Sequence, residues 1–224
     1  MVGQNASDTS HPPSGARPSD VPPGKRRVAA LVALSILEVI RARDLPTEVL
    51  GSEDPAQTMP RRLGLSEAVE LQIRRYRQEV RKRRRITDEE VADLFGLVQR
   101  RPDSGEVFRQ VGEILAGKDR RVGRMKRLLP RRVLFALARR QFQKRLRVLF
   151  DRGVGGFAHG RFSLEARTHF LLEMVPEGDA CDLLTGFSQV ILERYLSPAP
   201  TVTHTRCLAR KDELCSWGVR DERG

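Results

Sequence analysis

The run TVTHTRCLARKDELCSWGVRD, Thr201 to Asp221, reads as a β-hairpin. TVTHTRCLA is β-branched and strand-like, RKDE is a polar turn, and LCSWGVRD is the final strand. Working back from it, DACDLLTGFSQVILERYL is a helix with Cys181, Leu184, Phe187, Ile191 and Tyr195 on one face and Asp179 as its cap. Upstream, two further strands are expected at residues 162–167 and 168–175, after the flexible joint GVGG at 153–156. Before that joint lies the helix LLPRRVLFALARRQFQKRLRVLF, with Pro130 in its first turn. Leu134, Ala138, Phe142, Leu146 and Leu149 form its apolar face, and seven cations from Arg131 to Arg147 cover the rest. The order strand, strand, helix, strand, turn, strand behind a basic helix makes residues 118–224 a small α+β domain, an antiparallel sheet with helices.

The first hundred residues differ. Residues 1–27 are rich in Pro, Ser, Gly and Asp and lack hydrophobic anchors, so they are expected to be a disordered tail. Residues 28–117 read as helical throughout. VAALVALSILEVI, Val28 to Ile40, is apolar nearly all round and predicts a buried helix. A short helix and loop follow. Ser66 caps the next helix, whose stripe is Leu65, Val69, Ile73, Tyr76 and Val80. Thr87 with Glu90 forms a capping box, and Gly117 stops the last helix of the segment.

The chain of 224 residues carries a net charge of +12, which favours an acidic partner without choosing among nucleic acid, anionic membrane and acidic protein. The run Arg81, Lys82, Arg83, Arg84, Arg85 is the densest candidate for anion contacts; read blandly, it is a solvated helix end favoured by the helix dipole. The longest apolar run spans Val28 to Ile40 and is too short for a bilayer, which needs about 20 residues. Three cysteines are too few for a secreted disulfide scaffold, so reduced thiols and a cytoplasmic location are expected. There is no phosphate loop, dinucleotide fingerprint, HExxH or nucleophile elbow, which argues against an enzyme.

Cys207 and Cys215 face each other across the expected turn. With His204 three residues earlier and Cys181 on the preceding helix they would make a Cys-Cys-Cys-His set suited to zinc. The spacing is not CxxC, so three unrelated cysteines, with Cys181 a small core residue, is the alternative.

The hairpin THTRCLARKDELCSWGV and the helix CDLLTGFSQVILERYL together resemble the end of the 4-vinyl reductase domain family. The resemblance covers roughly residues 120–220. It implies a structural zinc ion on Cys181, His204, Cys207 and Cys215, with His204 standing where phenol-sensing relatives have Glu. A turn Gly of the family is missing near Lys211 and Asp212. The resemblance further implies a non-enzymatic small-molecule sensor or accessory module that works as a homodimer or with a partner protein. A hydrophobic or aromatic ligand would sit in an apolar pocket, for which Phe157, His159, Phe162, His169 and Phe170 are candidates. Its alternatives are a nucleic-acid-associated basic protein and an accessory factor in bacteriochlorophyll synthesis.

Overall fold

The computed structural model describes residues 26–44, 67–117, 129–158 and 162–220. Most of the expected tail, the short helix and loop after residue 45, Leu65, the Ser66 cap, the basic connector 118–128 and His159 lie outside them.

The chain is an α+β protein. Strand β1 (Arg26–Ala29) runs into α1 (Ala30–Asp44); α2 (Glu67–Arg81), β2 (Arg85–Thr87), α3 (Asp88–Gln99) and α4 (Ser104–Ala116) follow. Then come α5 (Arg131–Phe150), β3 (Gly156–Phe157), β4 (Leu164–Ala166) and α6 (Phe170–Met174). A 3-10 turn (Asp179–Cys181) opens α7 (Asp182–Tyr195), and β5 (Thr201–Arg206) and β6 (Cys215–Arg220) close the chain around a second 3-10 turn (Leu208–Arg210). The second sheet is antiparallel in the order β3-β4-β6-β5.

Helix α1 is buried on nearly every side, as its unbroken apolar sequence requires. Ile73 and Tyr76 are buried on α2, and the full apolar stripe of α5 is buried. Thr87 Oγ1 accepts from the Glu90 N–H at 3.1 Å, so the cap forms. The reciprocal half of the box does not: the Glu90 carboxylate instead accepts from Tyr76 at 2.7 Å and Arg75 at 2.8 Å.

Several expectations are corrected. The segment 28–117 is not helical throughout, because β1 and β2 pair as an antiparallel ribbon that takes in Arg26 and Arg27 from the expected tail. Residues 168–175 are not a strand. Phe170 and Leu171 are both buried, consecutive apolar residues suit one helical turn better than a two-sided strand, and α6 forms there. The strand before it is shorter than expected, Leu164–Ala166. Asp179 does not cap α7; its carboxylate accepts from Ser104 Oγ at 2.5 Å, tying α7 to the start of α4. Gly156 of the expected flexible joint is in β3, paired with Glu165.

The N-terminal helices and the C-terminal sheet share one hydrophobic core. Its axis is the crossing of α4 on α7. A Cβ at Gly112 would lie 2.0 Å from Leu183 O, and one at Gly186 would lie 2.1 Å from Arg109 O. The two backbones touch because neither residue has a side chain. The C-terminal carbonyls of α4, which no intrahelical N–H can reach, are taken by arginines from neighbouring helices. Arg194 Nη2 donates to Ala116 O at 2.6 Å and also to Gly117 O, and Arg145 Nε donates to Leu115 O at 3.1 Å. This packing carries Cys181, at the head of α7, under the β5–β6 hairpin.

Candidate metal centre

Strict strand alternation would send residues three apart to opposite faces. Yet His204 and Cys207 meet on one side. The β5–β6 register shifts between His204 and Arg206, where His204 pairs with Trp217 and Arg206 with Ser216. One extra residue at this bulge reverses the parity of the residues beyond it, so Val202, His204 and Cys207 all face inward. On β6, Cys215 and Trp217 alternate inward in the ordinary way.

The turn between the cysteines is not the simple polar turn expected at RKDE. Cys207 O accepts from Arg210 N at 2.9 Å and Asp212 N at 3.2 Å, folding the chain into a 3-10 knuckle. Lys211 follows in the left-handed region (φ 68, ψ 20), where a glycine would be free of strain; a lysine there costs about 1 kcal/mol. The Asp212 carboxylate accepts from Cys207 N at 2.7 Å, and the Leu208 N–H donates to Cys215 Sγ at 3.4 Å.

The outcome is convergence. One ligand atom each from Cys181, His204, Cys207 and Cys215 lies within 4.8 Å of all the others, and this group could hold a metal ion. All three cysteines are free and buried. Cys181 Sγ is 4.0 Å from Cys207 Sγ. Tetrahedral Zn–S bonds of about 2.3 Å set sulfurs about 3.8 Å apart, so closing the site requires shifts of about an ångström or less. His204 Nε2 is buried without a hydrogen-bond partner, a state that coordination would satisfy.

The thiols are electrostatically unequal. A hydrogen bond to Cys215 and burial push the Cys181 thiol well up, and burial pushes Cys207 up. Cys215 is held down to about 2, first by the Cys181 thiol and then by the imidazoles of His169 and His204 and the Leu208 N–H beside it. Of the three, Cys215 is the thiol whose ionisation its surroundings favour.

Three residues that sequence reasoning gave no part in the centre shape it. Trp217 is fully buried, stacks on His204 (centroids 4.8 Å apart, 10° between planes) and donates from Nε1 to Cys181 O at 3.3 Å. Gly178 has φ +92, and a Cβ there would lie 2.5 Å from Ala209 Cβ and 3.0 Å from Cys207 Sγ. The Pro-Glu-Gly run before the helix is the available signal. His169, expected in an apolar pocket, lies instead with Nε2 3.8 Å from Cys181 Sγ.

The other pocket candidates divide. Phe157 and Phe162 pack around Phe142, at centroid distances of 5.4 and 6.2 Å, while Phe170 pairs with Phe150 at 4.6 Å. Beside this cluster, His204, Cys207, Asp179, Asp182 and Arg210 border an open polar cleft of about 400 Å³. Burial there raises the Asp182 carboxyl, against the pull of His204, Arg109 and Arg210.

Arg81 to Arg84 are exposed, and only Arg81 belongs to a helix. Arg85 turns inward, donating to Arg27 O and, at 3.2 Å, to Val148 O on α5. Among the described residues no helix is long and apolar enough to cross a membrane. No family model, curated protein or solved structure matches the chain.

Proposed function

We propose that the protein is a non-enzymatic, ligand-binding regulatory module of the 4-vinyl reductase type, braced by structural zinc on Cys181, His204, Cys207 and Cys215. The observation that carries this reading is the convergence of those four side chains from a helix and two strands. Three thiolates with one imidazole favour zinc over hard cations, and four protein ligands leave no open position for catalysis. The ligand is a small aromatic molecule taken up at the Phe142, Phe157 and Phe162 cluster, where Phe157 is half-buried at the β3–β4 edge. Phenol, titrated into the zinc-loaded protein, is expected to raise its melting temperature, and Phe157→Ala to remove the shift. A protein that responds to protoporphyrin and not to phenol would favour tetrapyrrole work instead, and silence toward both would defeat the sensor reading.

A second reading rests on a separate observation. Helix α5 has no acidic residue in 20, and Arg140, Lys144 and Arg147 are exposed on it at i, i+4, i+7 spacing. The Arg85 bond to Val148 O brings the Arg81–Arg84 turn to the end of that helix. This face suits the phosphates of a nucleic acid. For about four phosphate contacts, affinity for a DNA duplex is expected to fall roughly 100-fold between 50 and 200 mM salt. Absence of binding at the lower salt removes this reading.

A further inference from the structure

We infer that His169 is a positioning residue of the metal centre, its Nε2–H donating a hydrogen bond to the Cys181 thiolate. The inference rests on the metal reading and adds a fifth side chain to it.

Both the backbone and the ring of His169 are held in place. His169 stands at the cap position of α6 in extended conformation (φ −158, ψ 154), and its carbonyl accepts from Leu172 N at 3.0 Å. Its ring meets Trp217 edge-on, with centroids 5.7 Å apart and 63° between planes. It is 4% exposed. Nε2 is 3.8 Å from Cys181 Sγ, a distance equally suited to a ligand and to an N–H···S bond.

The tautomer separates these roles. A neutral imidazole carries one N–H and one lone pair. Nδ1 of His169 is buried with no hydrogen-bond partner. If Nε2 bound the metal, the proton would sit on Nδ1 as a buried donor without an acceptor, which native structures rarely contain. Metal-ligating histidines also give their other N–H to a partner, and Nδ1 has none to give it to. With the proton on Nε2, only a lone pair is left unmatched at Nδ1, and the sulfur gains a donor. Three thiolates around a divalent cation leave one net negative charge, which N–H donors to sulfur offset. Cys215 receives its donor from Leu208 N, and Cys181 receives His169.

The test uses the full chain loaded with zinc or cobalt(II), with affinity measured by competition against a chromophoric chelator. His169→Phe keeps a ring beside Trp217 and removes the donor. It is expected to weaken zinc binding about 10- to 100-fold, with the cobalt spectrum still that of three sulfurs and one nitrogen. His169→Gln, whose amide N–H reaches the place of Nε2, is expected to recover most of the loss. His169→Asn, which reaches only the place of Nδ1, is expected to weaken binding as Phe does, and serves if the Phe variant misfolds. Unchanged affinity in the Phe and Asn variants would overturn the inference. So would a cobalt spectrum that loses a nitrogen donor, which would make His169 a ligand. Wild-type protein that takes up neither metal would defeat the metal reading itself, a result distinct from both.

Discussion

Replacing Cys215 by serine is expected to strip the metal and to produce the largest loss of stability of any single change at the hairpin. Cys215 is the most readily ionised of the three thiols, and its sulfur accepts from the Leu208 amide at 3.4 Å. It also sits in register with Ala166, which fixes the middle of the sheet. A ligand that binds only the folded state stabilises it by about 4 kcal/mol when its free concentration is about a thousand times its dissociation constant. For a chain of this size that is roughly 8 to 16 °C in melting temperature. Wild-type protein should lose the same amount when zinc is chelated, and Cys215→Ser should be insensitive to the chelator. The pH dependence has a defined sign. Cys181 and Cys207 hold their protons above the ordinary thiol range, so zinc must displace them, and affinity falls as pH falls. A Cys215→Ser protein that melts with wild type and still responds to chelator would contradict the assignment.

The second large effect lies away from the candidate metal centre. Gly112→Ala is expected to destabilise the protein by about 3 kcal/mol, although alanine in place of glycine gains about 1 kcal/mol in helix propensity. The new Cβ would lie 2.0 Å from Leu183 O and 2.9 Å from Phe187 N. Both are backbone atoms of α7, so relief requires the helices to separate along the whole crossing. Gly96→Ala is the control. It also sits inside a helix, but its Cβ would meet nothing within 4 Å, and it is expected to stabilise by about 0.5 to 1 kcal/mol. Urea denaturation of the two variants checks the opposite signs. Equal midpoints would mean that the close crossing does not hold the core together.

Much of this architecture is legible in local patterns. The all-round apolar run of α1, the stripe of α5 and the Thr87 cap each follow from a few neighbouring residues, and the structure has all three. The four converging side chains can also be named from the sequence, on the strength of a hairpin and a helix. The illegible features depend on contacts between distant residues. The β1–β2 ribbon joins Val28 to Ile86, and neither strand is long enough to show alternation. Asp179 resembles a helix cap until Ser104, 75 positions away, takes its carboxylate. Gly112 and Gly186 read as weak helix residues until α4 and α7 are seen to touch. The bulge after His204 has no local signature either, yet it puts an i, i+3 pair on the same side of a strand.

The most direct measurement is X-ray absorption at the zinc edge, with metal stoichiometry, on protein purified under reducing conditions. The expected result is one zinc per chain, with three sulfur neighbours at about 2.3 Å and one nitrogen at about 2.0 to 2.1 Å. Metal-free protein, or a zinc shell made only of nitrogen and oxygen, would contradict the account.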